Sequence, residues 1–382
     1  MQHINIADIR LTGALDADVT ADGIVPRRLP SWTRHQISDP TLPVLVTMPA
    51  GVRLEFTTTS DHVELDVLVT RVTPMGRPPQ PAAFDLVSDG LLVNTQATDV
   101  GTLILYDPLT AEVEFELGES TVIRFDGLEA GGGTYEIWLP HDSAVELRGL
   151  RVADGATFEQ RPRSRRRWVH YGSSISHCME ALTPTGTWPS IVARHADLDL
   201  NNLAFAGQCM LDQMVARTIR DLPADLISVK AGINIVNGDT MRERTFTMAV
   251  HGFLDTVRDG HPSTPLALVT PIICPVAEDH PGPTIAAANG EFRVPERSAE
   301  LSVGALTLRH IRQLLAHIVE ARRAEGDHNL HLVDGLTLFG PDDAVDLPDG
   351  LHPSPEGYHR MGDRFHDLMF RSGGVFAHEP AA

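Results

Sequence analysis

Two hydrophobic periods divide the chain. From about residue 40 to 155, apolar and polar residues alternate in short β-branched runs, as in Val52-Arg53-Leu54-Glu55-Phe56-Thr57 and His62-Val63-Glu64-Leu65-Asp66-Val67-Leu68-Val69. Alternation at period two puts one face of each run on a core and the other toward water, which predicts half-buried antiparallel strands. Turn residues break the pattern at Ser88-Asp89-Gly90 and Gly131-Gly132-Gly133, and Tyr135-Glu136-Ile137-Trp138-Leu139 resumes it. With no convincing helix among them, these strands predict an all-β sandwich, jelly-roll-like, over residues 1–160. The arginine-rich stretch Gln160 to Arg167, which contains Pro162, reads as a linker.

From Trp168 the period changes, and residues 161–382 read as a second domain. Apolar runs at Trp168 to Tyr171, Leu200 to Phe205, Leu226 to Lys230, Leu266 to Thr270 and Leu330 to Val333 alternate with helical stretches. Those stretches are Leu211 to Leu222, Phe246 to Val257, Ala305 to Arg323 and Glu356 to Met369. Strand-helix alternation predicts α/β architecture: a parallel five-stranded sheet with helices on both faces. Reactive groups in such a sheet collect just past the carboxyl ends of its strands, so any motif can be tested by its position.

Composition narrows the classes. The 382 residues suit two domains, and 42% hydrophobic with 21% charged residues is globular rather than disordered composition. A net charge of −20 argues against nucleic acid or an anionic membrane surface as a partner. The start, Met1-Gln2-His3-Ile4-Asn5, does not read as a signal peptide, and no run approaches the ~20 apolar residues of a membrane span. Three cysteines, Cys178, Cys209 and Cys274, fit a reducing compartment, so a cytoplasmic location is expected.

Candidate chemistry lies at the strand exits. Gly172-Ser173-Ser174-Ile175 follows the first apolar run, where a serine hydroxyl can project above the sheet and receive an acyl group if a base removes its proton. Asp349-Gly350-Leu351-His352-Pro353 follows the last run, and an Asp three residues before a His can turn back onto the ring and fix its tautomer. Gly207, after the second run, leaves its backbone N–H uncovered, and Asn234, after the third, offers a side-chain amide; both can face a developing oxyanion. Singly, each has a plainer explanation: Ser174 as a turn or cap, His352 as one of 18 histidines, Gly207 as a helix-entry turn, Asn234 as an N-cap. Jointly, Ser, Gly, Asn and Asp/His stand in order at the ends of separate predicted strands.

In that order the chain, from about Arg166 to Ser372, resembles the GDSL or SGNH hydrolase family. The resemblance implies a flavodoxin-like sheet, Ser174 as nucleophile and oxyanion donor, Gly207 and Asn234 as further oxyanion donors, and Asp349 and His352 as the proton-handling pair. Ser173 stands where the family usually has Asp, and Ile235 follows Asn234 where Asp is common. Neither aspartate transfers a proton, so the departures bear on the loops and on specificity. The leading β-domain and the Tyr171-Gly172-Ser173-Ser174-Ile175-Ser176-His177-Cys178 run are similar to GDSL-type acyltransferases that attach a salicyl group to a tetracycline. That implies a small-molecule acyl donor, an aryl thioester of coenzyme A as co-substrate, a hydroxylated polyketide acceptor, and no bound cofactor or metal.

Other readings stand beside this one. The same residues with water as acceptor make an esterase, and an inactive scaffold would make a binding module. Trp32, Trp138, Tyr106 and Tyr135 are too few to argue a sugar-stacking platform in the first domain. The sequence holds no CxxC or HExxH metal signature, and Cys178 and Cys209 read as buried packing residues near the site. The proline-rich stretch Cys274 to Ser298 is long for a connection and reads as a lid, an acceptor wall or an inert insertion.

Overall fold

The structure is a computed structural model that describes residues 1–107, 110, 112–160, 165–287 and 290–377. They form two compact units. The first holds Met1–Arg165 with the short segments Leu182–Thr185 and Asp199–Asn202; the second holds Arg166–Ala181, Gly186–Leu198 and the chain from Leu203 onward. Of the stretch read as a linker, residues 161–164 lie outside the described residues.

The first unit is built on an eight-stranded and a six-stranded sheet. Strand His62–Pro74 shows why the alternating pattern folds this way: every second residue is buried, and Val63, Leu65, Val67 and Val69 are wholly inaccessible. Leu54 and Phe56 of Arg53–Thr58, Leu86 of Ala82–Ser88 and Ile137 of Gly133–Trp138, all from the other sheet, join them in one core. Burying each such side chain contributes about 1.5–3 kcal/mol, which is what draws the two apolar faces together as a sandwich. Among the described residues of this unit, pairing is antiparallel except where His62–Pro74 runs parallel to Thr102–Tyr106. The Ser88-Asp89-Gly90 break is a hairpin turn: Asp89 and Gly90, at φ 48° and 77°, join Ala82–Ser88 to Leu91–Thr98.

Two features of this unit depart from the sequence pattern. Strands Gln2–Ile4, Leu11–Thr12, Asp16–Val19 and Ile24–Arg27 precede the region where alternation is visible, each too short to show a period. Leu42–Thr47 is a helix, with Pro43 in its first turn, inside a region expected to hold strands alone. Pro43 presets the helical φ there, and six residues are too few to display a 3.6-residue repeat.

A five-stranded sheet, labelled β1 (Arg166–Gly172), β2 (Leu198–Ala204), β3 (Leu226–Lys230), β4 (Leu266–Val269) and β5 (Leu330–Val333), belongs to the second unit apart from Asp199–Asn202 of β2. Their order is β2-β1-β3-β4-β5, and β1, β3, β4 and β5 pair in parallel. Every residue of β3 and β4 is buried, as expected of strands covered on both faces. The helices Gln213–Asp221, Glu243–Gly260, Leu308–Ala324 and Pro355–Phe370 stand within a few residues of the predicted bounds.

Chain order reverses beside β1, and at such a switch point a crevice opens above the carboxyl ends of the strands. Aromatic packing sets β1 in place: Trp168 lies 5.7 Å from Phe365 and 6.0 Å from Trp188, and its indole N–H donates to Ser228 Oγ at 2.8 Å. The helices Trp188–His195 and Pro355–Phe370 meet where a Cβ on Gly362 would come within 2.9 Å of Ile191. Among the described residues no helix is long and apolar enough to cross a membrane.

Candidate active site

Ser174 follows β1 directly and opens a four-residue helical turn, Ser174–His177. Ser173 caps that turn, its hydroxyl accepting from the Ile175 N–H at 3.3 Å. A serine thus does the capping work an aspartate would do there. Gly172 admits no side chain, since a Cβ would lie 2.6 Å from Ser176 Oγ and 3.0 Å from His170 Nε2. The tight exit leaves Ser174 9% exposed, buried yet reachable.

The predicted base, His352, lies on the segment between β5 and the helix Pro355–Phe370, which Ser354 caps. Asp349 Oδ1 accepts from the backbone N–H groups of Leu351 and His352 at 2.9 and 2.7 Å, while Oδ2 lies 2.7 Å from His352 Nδ1. Gly350, at φ 81°, allows the tight bend. Across the site, His352 Nε2 is 2.8 Å from Ser174 Oγ. Burial pushes the Asp349 carboxyl up, but its bonds to the His352 ring and to the two backbone N–H groups outweigh that and hold it below the usual carboxylate range. It is therefore an anion facing Nδ1, and the lone pair at Nε2 faces the serine hydroxyl.

Three donors without acceptors among the described residues lie at the neighbouring strand exits. One is the Ser174 N–H, an orphan of its helix N-terminus. Another is the N–H of Gly207, which has φ 72° and open space where a Cβ would be. The third is the Asn234 amino group, in the short helix Ile233–Asn237 after β3. Asn234 Oδ1 accepts from the Cys209 N–H at 2.9 Å, which ties the loop after Gly207 to the loop after β3 and leaves the amino end of the amide as its free donor. The predicted set thus converges as Ser174–His352–Asp349, with Asn234 linked to the Gly207 loop through Cys209.

Residues that sequence reasoning missed also gather here. Glu180 Oε1 lies 3.5 Å from His352 Nδ1. The Phe292 ring packs edge-on to the His352 ring, centroids 5.8 Å apart, and its backbone N–H donates to Asp349 O at 2.9 Å. The proline-rich stretch therefore reaches His352, through the two-stranded hairpin Ile285–Ala286 and Phe292–Arg293. Neither residue sits in a periodic segment, so no pattern pointed to it. Cys178 and Cys209 are fully buried; burial pushes the Cys209 thiol up to about 12 and the Cys178 thiol well above its ordinary value, so both are packing groups and not nucleophiles. In the first unit Trp138 and Tyr135 are buried, with the Arg53 guanidinium 4.9 Å from the Trp138 ring centre.

Comparison with known proteins matches residues 165–369 to the GDSL-like lipase/acylhydrolase family. No curated protein sequence matches the chain. Among solved structures it is similar to the salicylyl-acyltransferase SsfX3 from a tetracycline biosynthetic pathway, at 28% identity and TM-score 0.80 over 95% of each chain. A protein described as a GDSL-like lipase from Bacteroides ovatus shares its fold at 18% identity and TM-score 0.67, over 95% of each chain. So does a family two carbohydrate esterase from Cellvibrio japonicus, at 14% identity and TM-score 0.57 over 96% of each chain.

Proposed function

The chain belongs to the GDSL-like lipase/acylhydrolase family, and on that premise we propose that it is a serine acyltransferase moving an aryl group, salicylyl or close to it, from coenzyme A to a hydroxyl of a tetracycline-type polyketide. The observation that carries the serine chemistry is the continuous line from Asp349 to His352 Nδ1 and from Nε2 to Ser174 Oγ, at 2.7 and 2.8 Å. The proposed acyl group and acceptor class are supported by the similarity to SsfX3 along nearly the whole chain. Coenzyme A is the donor class proposed because a thiolate leaves readily. The three buried, unpaired cysteines support a reducing, cytoplasmic setting for that donor.

The reaction runs in two halves. His352 Nε2 takes the Ser174 proton as Oγ attacks the thioester carbonyl, and the oxyanion is met by the N–H groups of Ser174 and Gly207 and the Asn234 amino group. Collapse forms the acyl-serine ester and breaks the C–S bond, and the proton on His352 goes to the departing thiolate. The acceptor hydroxyl then gives its proton to His352, attacks the ester carbonyl, and leaves acylated as Oγ recovers the proton. Hydrolysis is the second reading, favoured by the exposure of Gly207, which opens the donor side of the site to water.

Intact-mass spectrometry after addition of salicylyl-coenzyme A tests the proposal. One salicylyl adduct is expected on the wild type and none on Ser174→Ala, with steady thiol release accelerated by a hydroxylated polycyclic acceptor. Fast thiol release indifferent to acceptor makes the enzyme an esterase. Unchanged turnover by Ser174→Ala overturns the serine mechanism and favours a binding role.

A further inference from the structure

The chain leaving the nucleophile's turn reverses at Cys178, whose φ of 60° is left-handed, and two residues later presents Glu180 to the base. The Glu180 side chain is 37% exposed, and its Oε1 lies 3.5 Å from His352 Nδ1. Its other oxygen, Oε2, accepts from the Tyr358 hydroxyl at 2.7 Å. Tyr358 is inaccessible to solvent and stands in the first turns of Pro355–Phe370, the helix that follows His352. Burial first, and the Glu180 charge second, push that phenol well above its usual value, so it stays a donor and holds the carboxylate in place.

Two carboxylates thus face one ring nitrogen. Asp349, at 2.7 Å, is at hydrogen-bond distance; Glu180, at 3.5 Å, is at ion-pair distance. When the Ser174 proton reaches Nε2, the positive charge on the ring meets both, and a second anion at this range favours the charged form. Among the described residues, the Ser174 hydroxyl, the Tyr358 phenol and the buried thiols of Cys178 and Cys274 also face this corner. Lys230 acts on Cys178 and Glu278 on Cys274. Among the described residues Glu180 has no ion pair except with His352.

We propose that Glu180 is a positioning residue for acyl transfer: held by Tyr358, it sets a second negative charge against His352 Nδ1, strengthens the base, and sustains part of its function when Asp349 is lost. The proposal rests on the reading of Ser174 and His352 as nucleophile and base.

The test follows modification of Ser174 by a fluorophosphonate, which needs the same base but no knowledge of the natural substrate, across pH in full-length variants. Glu180→Gln is expected to move the midpoint of the acid limb down by about 1 pH unit and to slow labelling at the plateau, because removing an anion weakens the imidazolium. Tyr358→Phe, which keeps the ring and its packing, is expected to shift the midpoint in the same direction, and it carries the test if Glu180→Gln fails to fold. Asp349→Ala is expected to retain labelling that Asp349→Ala/Glu180→Gln loses by a further factor of about ten. An unchanged midpoint in both single variants, with a double variant no slower than Asp349→Ala, overturns the role of Glu180. A wild type in which Ser174 is never labelled overturns the nucleophile assignment instead.

Discussion

Cys209 donates its backbone N–H to the side-chain oxygen of Asn234 at 2.9 Å, and that bond decides which end of the amide is left to donate. Asn234→Ala is expected to lower kcat by about 10²–10³, the usual loss for one oxyanion donor, with KM little changed. Gly207→Ala is expected to act more mildly. Its Cβ would enter open space, so the effect comes from forcing a side chain to φ 72°, a strain of about 1–2 kcal/mol. Steady-state kinetics with an aryl thioester separate the two: equal losses in both variants would mean that the Asn234 amide donates nothing special.

Asp349, 2.7 Å from His352 Nδ1, makes the proposed base sensitive to substitution by a neutral isostere. An asparagine there can donate to Nδ1, which drives the ring proton onto Nε2, the nitrogen that must accept from Ser174. Asp349→Asn is therefore expected to lower kcat by up to about 10⁴ while leaving the fold intact. The carboxyl is held below its ordinary value, so it contributes stability that is present above about pH 4 and is lost as pH falls through the lower folded value. Thermal melting should show a smaller acid-side loss in Asp349→Asn than in the wild type; parallel curves would contradict this.

Lys230, the only lysine in the chain, is 1% exposed at the end of β3. Burial lowers its ammonium to about 8 from an ordinary value of 10.5. The unfolded chain then holds the proton more tightly than the folded one, so between about pH 8 and 10.5 this group makes stability rise with pH, and below 8 its full cost is present. Lys230→Met is expected to be the more stable protein at pH 7, by up to roughly 3 kcal/mol. Chemical denaturation from pH 7 to 10.5 should show the gap narrowing, and a constant gap would exclude the explanation.

Phe292 brings the proline-rich stretch onto the base, its ring 5.8 Å from that of His352. If the proposed acyl-serine forms beside His352, Phe292 offers it an apolar face and should matter more for a large flat acyl group than for a small one. Phe292→Ala is expected to raise KM several-fold for an aryl thioester and to leave that for an acetyl ester near the wild-type value. Equal changes for both donors would reduce Phe292 to a support for Asp349.

Much of the site was legible because it sits where local pattern is strongest. In a parallel sheet the residues just past a buried strand face the crevice, so run ends drew attention to Ser174, Gly207 and Asn234, whereas His352, well beyond Val333, was marked by its spacing from Asp349 and by its place in the order. Alternation along His62–Pro74 likewise announced which side chains face the core, since a strand's faces repeat every two residues. What periodicity records is which face is buried, never which neighbour buries it. The order β2-β1-β3-β4-β5 and the 2.8 Å meeting of Ser174 with His352, 178 residues away, were therefore settled only by packing. Glu180 lies outside any helix or strand and Phe292 in a strand of two residues, so no repeat marks either as inward. Their place beside the imidazole comes from the left-handed bend at Cys178 and from the hydrogen bond between the Phe292 hairpin and Asp349, both products of the tertiary fold.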